Sequence, residues 1–539
     1  MSGKIFNLLT DALITAAPLG ALTLPGTLAA LARDEVDDFP ALRAHQGMFW
    51  HMFLVQLAAL ALHGAGETEI PQDEETWRRL LRGLTKDFPD DEPWCLVVDD
   101  WSKPAFMQAA VPDEVRLEKP APSPDALDLL ITAKNHDLKQ AVARQAEPED
   151  WLFALVTLQT GEGYNGRDNY GIARMNGGSS SRPMLGLAPL SSRTPMNMAP
   201  RPGAWFSRDV AVLLTTRQRV LDKSVIDYPP VGGVGLTWLA PWPEGAQLRT
   251  RDLDVWFIEV CRRVRLSIRE HGLFGSTGTS KATRIDAKHL NGALDDPWAP
   301  VLRAENKSLT LSGGDFDYRR LTELLFSGDW DRPVLAELAD IDRQGETLAV
   351  VAAALSRGNS KTEGFKSRVV PLSGKVARAL GARRPELHQL ARSQVESIVT
   401  FDKALRDALV LAAAGGEREE QEGKKKKKKK EKLYKYAELA HTHLDRYADE
   451  IFFEHLWRRF EALEAGPEAL QAEEKAFAEK LWSRAQMIFE QALPALPCPS
   501  LFRPRAEARA RSLLRFLVKK RYPELFPMQQ QMEAMTDAA

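Results

Sequence analysis

The six residues Gly161-Glu162-Gly163-Tyr164-Asn165-Gly166 carry the GxGxxG spacing with which backbone N–H groups can close around a pyrophosphate. That chemistry needs a strand before the glycines and a helix N-terminus after them. Here Glu149 to Gln159 follows Pro148 and reads as a helix. Arg167 to Pro183 holds Gly171, Gly177, Gly178 and three serines, which cannot make an apolar crossover helix. The spacing predicts a long glycine-rich loop instead. It is either an ordinary surface loop or a place where backbone closely approaches a ligand, with Arg167, Arg174 and Arg182 available to phosphates.

Two other segments have residue types suited to nucleic acid. Thr132 to Lys139 sets Lys134, Asn135, His136 and Lys139 in a short polar interval, and Asn is one of the few side chains that read base edges. Arg357 to Lys366 is a basic turn punctuated by Gly358 and Gly364, with Asn359, Ser360 and Lys361 at its centre, after the apolar Leu348 to Leu355. Taken alone, each reads as a plain loop, with nucleic-acid contact the alternative. Seven consecutive lysines, Lys424 to Lys430, followed by Lys432 and Lys435, make a run with nothing to bury. It is a solvated loop or a phosphate-contacting arm.

Nothing argues for catalysis. No Walker loop, HExxH, GxSxG or EF-hand pattern occurs, and adjacent carboxylates such as Asp99-Asp100 and Asp295-Asp296 read as turns. Cys95, Cys261 and Cys498 lie too far apart in sequence for a CxxC-type zinc site or a disulfide framework, so no metal or other cofactor is expected and a reducing compartment fits. His45 and His51 are six residues apart, which suits core hydrogen bonding better than a shared ion.

The elements that must position these residues divide in two. Residues 1–372 alternate short apolar pieces, such as Ile5 to Leu9 and Trp94 to Val98, with Pro, Gly and Asp clusters, predicting a mixed α/β region rich in loops around one buried helix, Arg43 to Leu62. Residues 373–539 predict four helices: Pro385 to Ala414, Lys432 to Ala465, Pro467 to Leu493 and Arg503 to Lys520. Gly415-Gly416 would end the first, and Pro467 would open the third. The second carries an apolar stripe at Leu433, Tyr436, Ala440, Leu444, Tyr447 and Ile451. The fold class is therefore α+β, a large irregular domain followed by a four-helix bundle with a Lys-rich loop near 417–432.

Composition sets outer limits. With 539 residues, 44% hydrophobic and 27% charged, the chain is globular and long enough for several domains. Its 72 Lys+Arg balance 74 Asp+Glu, which excludes a globally basic coat but not local basic surfaces. The uncharged stretch Ala12 to Ala32 is interrupted by Pro18, Gly20, Pro25 and Gly26 and is read as short buried elements, so a cytoplasmic protein with no membrane role is expected.

Several pieces occur in an order that resembles the CasA family, the large subunit of the type I-E CRISPR Cascade complex. They are Phe6-Asn7-Leu8-Leu9, the helix from His45-Gln46 to Gln56-Leu57-Ala58-Ala59-Leu60, Lys103-Pro104-Ala105-Phe106-Met107-Gln108, and Lys134-Asn135-His136-Asp137. The glycine-rich segment after Leu158-Gln159-Thr160 and Asp296-Pro297-Trp298-Ala299-Pro300-Val301 complete the series. The resemblance covers essentially the whole chain. It implies a non-catalytic subunit, partnered by the backbone and small subunits of a guide RNA-containing complex. Such a subunit recognises a protospacer-adjacent motif in double-stranded target DNA, largely from the minor groove, promotes strand separation and helps recruit a helicase-nuclease.

Carried onto this chain, the resemblance implies a docking loop at Lys134, Asn135 and His136, and a glycine loop near the motif at Gly163 through Gly166 and Arg167. It further implies a minor-groove cation at Lys288 or Arg284, and a wedge hairpin at Asn359, Ser360 and Lys361. The chain departs from the family in lacking the cysteine cluster of some members, in having Ser360 or Lys361 where some wedges present Gln, and in its lysine run. The competing readings are a nucleotide-binding enzyme using Gly161–Gly166 and a helical protein-binding scaffold.

Overall fold

The computed structural model describes residues 4–128, 146–175, 180–190, 199–270, 272–344, 347–358, 361–417 and 433–526. Lys134, Asn135, His136, Asn359, Ser360 and the run Lys424–Lys430 lie outside the described residues. The chain divides into two units, Met1–Phe316 with Glu323–Ala377, and Asp317–Thr322 with Arg378–Ala539.

The first unit is built on the helix Gly47–Ala65, which buries every residue from Met48 to Leu62. By length and apolarity it could cross a membrane, but most of it is packed inside the unit. It begins four residues later than the apolar pattern predicts because Arg43 to Gln46 forms a turn, closed by the Gln46 amide on the Arg43 carbonyl at 2.8 Å. His45 leaves that turn to meet Asp128 at 2.8 Å, and His51 meets Asp209 at 2.9 Å. Each histidine thus satisfies a buried carboxylate, as the sequence suggests.

Around this helix the strands lie in sheets of two or three, and all but Leu348–Gly358 and Lys361–Leu372 are short. Lys4–Asn7 pairs antiparallel with Cys95–Val98, and Arg263–Arg269 with Gly272–Gly278, which also pairs with Lys119–Ala121. Leu348–Gly358 lies between Met184–Pro189 and Lys361–Leu372. The stretch Ala12 to Ala32 holds the hairpin Ile14–Ala16 and Gly20–Leu22 and the buried helix Leu24–Ala32, N-capped by Thr23.

Such short ladders leave much interior backbone unpaired, and buried amide side chains satisfy it. Gln108 donates to the Leu96 and Phe106 carbonyls and accepts from the Leu266 amide at 2.7 Å. Gln159 donates to the Met107 and Arg262 carbonyls and accepts from the amides of Cys261 and Arg262.

The second unit contains the helices Arg384–Ala413, Glu438–Ala465, Pro467–Ala492 and Arg503–Arg521. Glu438–Ala465 starts later than predicted because a turn at Lys435 to Ala437 separates it from the helical residues Leu433 and Tyr434. Its buried line runs Ala440, Leu444, Ala448, Phe452, Leu456 and Phe460, so Ala448 and Phe452 face the core where the pattern chose Tyr447 and Ile451. The helix packs along its four-residue ridge, which drifts around the axis faster than a mixed three-and-four stripe. Gly466, at φ 110°, is the sole link to Pro467, which occupies the first helical position.

Glycine positions test this packing. A Cβ on Gly161 would stand 2.3 Å from the Phe49 ring, whereas one on Gly47 would meet nothing within 4 Å. Gly161→Ala is expected to lower unfolding free energy by about 1–3 kcal/mol in denaturant titration, and Gly47→Ala to leave it unchanged or slightly raised.

Candidate nucleic-acid interface

Two of the segments singled out in the sequence, the glycine loop and the hairpin Leu348–Leu372, are rooted on one buried ion pair. Arg182 and Asp296 are 2% and 5% exposed, and the guanidinium grips the carboxylate bidentately, Nε to Oδ2 at 2.6 Å and Nη2 to Oδ1 at 3.0 Å. Arg182 Nη1 also donates to Gln56 Oε1 at 3.1 Å, and Gln56 Nε2 donates to the carbonyls of Trp256 and Phe257. Asp296 Oδ1 accepts from the Trp298 amide at 3.0 Å. Burial alone would raise the Asp296 pKa; Arg182, Arg174 and the Trp298 amide outweigh it and hold the carboxyl below its ordinary value.

The glycine loop leaves this hub in one direction. The Arg182 amide donates to the Gly161 carbonyl, the Ile172 amide to the Glu162 carbonyl, and Arg262 Nη2 to the Gly163 carbonyl at 2.9 Å. A Cβ on Gly171 would come within 2.4 Å of the Gly163 backbone, so the two limbs touch. Both oxygens of buried Glu259 accept from the Ala173 amide, at 2.8 and 2.9 Å. Desolvation raises the Glu259 pKa to about 7, against the lowering effects of the Ala173 amide and nearby arginines. From this base, Tyr164, Asn165, Gly166 and Arg167 project into solvent, with Gly166 at φ 90° and the Arg167 side chain 94% exposed. The Ser280 amide donates to the Asp168 carbonyl at 3.1 Å, setting the loop against the chain that leads to Lys288.

The hairpin leaves the hub in another direction. The Leu355 amide donates to Ser181 Oγ at 2.7 Å, and Ser180 Oγ donates to the carbonyls of Leu355 and Leu311. Pairing with Met184–Pro189 stops at Ala353, and the two strands continue paired to each other as far as Gly358 and Lys361. A register shift after Ser356 and Gly364 at φ 127° mark the outer part.

Three arginines change role. Arg174 is 1% exposed and donates to the carbonyls of Val255 and Leu294 while lying 4.0 Å over the Phe257 ring. Arg182 is the hub itself. Arg284 is 2% exposed, donates to the carbonyls of Thr237, Ala240 and Pro241, and is pushed down to about 10 by burial. All three guanidiniums are spent on the interior and are withdrawn as phosphate contacts. Arg284 anchors the segment on which Lys288 is exposed in a 3-10 turn, Lys288–Leu290. Arg167, Gly166 and Lys288 remain at the surface; Gly163 is buried within the loop's base.

The Rossmann geometry is absent: the helix Pro148–Gly161 precedes the glycines, and irregular chain follows them in the described residues. The missed residues are Gln56, Gln159 and Glu259. A lone amide inside an apolar helical run is the signal that marks the first two.

These features define a two-unit α+β protein that carries polar and basic loops on a rigid buried polar core. No family model matches the sequence, and no curated protein does. Solved structures do. The chain is similar to Thermus thermophilus CasA (Cse1), with TM-score 0.58 at 16% identity, covering 96% of this chain and 100% of that one. It is similar to Thermobifida fusca Cse1, with TM-score 0.60 at 13% identity, covering 96% and 98%. A chain of a CRISPR RNA-guided surveillance complex matches with TM-score 0.50 at 13% identity, covering 95% and 100%. The fold is that of CasA (Cse1) proteins along almost the whole chain.

Removing one partner of the hub leaves the other charge buried and unpaired. Arg182→Met or Asp296→Ala is expected to cost about 3–5 kcal/mol in denaturant unfolding, and the double variant less than the sum of the two. Glu259 gives a pH signature. Its folded pKa lies above the unfolded value, so its stabilising contribution is complete below about pH 4.5 and is lost as pH rises through about 7. Relative to Glu259→Gln, the wild type should lose on the order of 3 kcal/mol between those limits in pH-dependent melting.

Proposed function

We propose that this chain is the non-catalytic large subunit of a type I-E RNA-guided surveillance complex, working in the cytoplasm. It assembles with guide RNA and the backbone and small subunits, recognises a short motif in target duplex DNA, promotes strand separation beside it and helps recruit a helicase-nuclease. The supporting observation is the likeness in fold to CasA/Cse1 structures and to a surveillance-complex chain over 95–96% of the sequence.

The surface is consistent with that task. Guide pairing reads the sequence, so the protein needs only a few groove and backbone contacts. The exposed tip Tyr164 to Arg167 offers backbone amides, an aromatic ring and a cation, and Lys288 offers a second cation. The segment Leu348–Leu372, whose sequence includes Asn359, Ser360 and Lys361, is assigned to the wedge, and Lys134, Asn135 and His136 to docking on the guide complex. Inserting a wedge costs a few kcal/mol of unstacking, offset by heteroduplex formation and backbone contacts.

The test is a gel shift with guide-loaded complex containing Arg167→Ala/Lys288→Ala. Motif-dependent duplex binding should weaken by about 1–3 kcal/mol for each base edge no longer read, and the log–log salt slope should flatten by about one for each phosphate no longer neutralised. Unchanged binding would remove both residues from the interface, and failure of the wild-type chain to assemble with the guide complex would overturn the subunit assignment itself.

A further inference from the structure

The helix Arg503–Arg521 of the second unit carries eight cations and one carboxylate, Glu507, in nineteen residues. Its inner face is a strict four-residue line, Ala506, Ala510, Leu514 and Val518, all buried. Outside that line the helix meets solvent. Arg505, Arg509, Phe516 and Lys520 are all exposed and follow one another along one side at spacings of four, seven and four, a line of about 22 Å at 1.5 Å per residue. Phe516 is 61% exposed in the middle of a cationic line. Arg515 is exposed next to it.

Structural duties account for part of this charge. Arg503 holds the carbonyls of Leu493, Pro494, Leu496 and Cys498; Arg511 chelates Glu490; Arg505 meets Glu417 at 3.1 Å. Arg509 donates one guanidinium nitrogen to the Gly416 carbonyl. The helix dipole favours cations in the last turn, which accounts for Lys520 and Arg521. It disfavours them in the first half, where Arg505 and Arg509 stand, and it gives no reason for an exposed phenyl ring. Among the described residues, Arg509, Arg515 and Lys520 have no carboxylate within salt-bridge distance.

We propose that this face binds single-stranded nucleic acid, with Arg509, Arg515 and Lys520 on phosphates and Phe516 stacked on a base. Charge complementarity selects a polyanion, and the aromatic ring set among cations selects a strand with unpaired bases over an acidic polypeptide. The surface belongs to the second unit, whereas the loops assigned to motif recognition belong to the first.

The test uses the full chain alone, without guide RNA complex or motif, so its result is independent of the subunit assignment. A labelled mixed-sequence oligonucleotide of about 20 nucleotides is titrated by fluorescence anisotropy. Phe516→Leu, which keeps apolar bulk but removes the ring, should weaken binding at least about fivefold. Arg509→Gln/Lys520→Gln should flatten the log–log salt slope by about 1.4. Polyglutamate at equal charge should fail to compete. Wild-type affinity in Phe516→Leu would overturn the proposal, as would displacement by polyglutamate, which would point to an acidic protein. Coincident melting curves confirm that the variants are folded.

Discussion

The pairing of Arg182 with Asp296 is the constraint on which the first unit depends. These residues are 114 positions apart, and between them the chain contributes a helix, several short strands and long irregular connections. Both charges are removed from water, so each is held to the other by the penalty of separation. Through Gln56 the pair is fixed to the core helix, through Ser181 to the hairpin strand, and through the Trp298 amide to the segment that follows Asp296. A region with so little regular ladder acquires a defined geometry because its connections converge on groups that have one satisfactory arrangement.

The same logic explains why so many arginines point inward. Arg174, Arg262, Arg263, Arg265 and Arg284 all donate to backbone carbonyls. A loop interior exposes carbonyls without a ladder to satisfy them, and the planar guanidinium carries five donors in a fixed fork, enough to close two or three at once. Arg284 serves the Thr237, Ala240 and Pro241 carbonyls together. With the base of each loop held in this way, its tip can differ in residue type at little cost to the fold.

How much was legible in the sequence follows from range. The helices of the second unit were legible because their evidence is local: apolar spacing, Pro467 at a first helical position, Gly415-Gly416 after a last one. The core helix was legible in its body and misplaced at its start, where a polar turn is stabilised by Asp128, far away in sequence. The glycine loop was correctly separated from a Rossmann turn by its flanks. Arg174 and Arg182 defeat a reading from residue type because arginine is among the residues least often fully buried, and their partners here are a distant carboxylate or carbonyls, which no residue type announces.

Charge balance acquires a different meaning in this light. Among the described residues the interior takes up nine arginines, Arg459 of the second unit included, and nine carboxylates, from Asp91 to Asp296. Burial therefore removes the two signs equally and leaves the exterior as nearly neutral as the whole chain, whose formal charge is -2. Any surface meant for a polyanion must then be made by position. On the first unit the surface proposed for that role is a loop tip and a single turn, where Arg167 and Lys288 are exposed. On the second the proposed surface is a helix face, where the buried line is confined to two alanines, a leucine and a valine, the other residues are partly or fully exposed, and the sequence supplies cations among them. The two surfaces follow from opposite architectures, one from irregular chain pinned by buried arginines and the other from a regular helix whose arginines had nowhere to be buried.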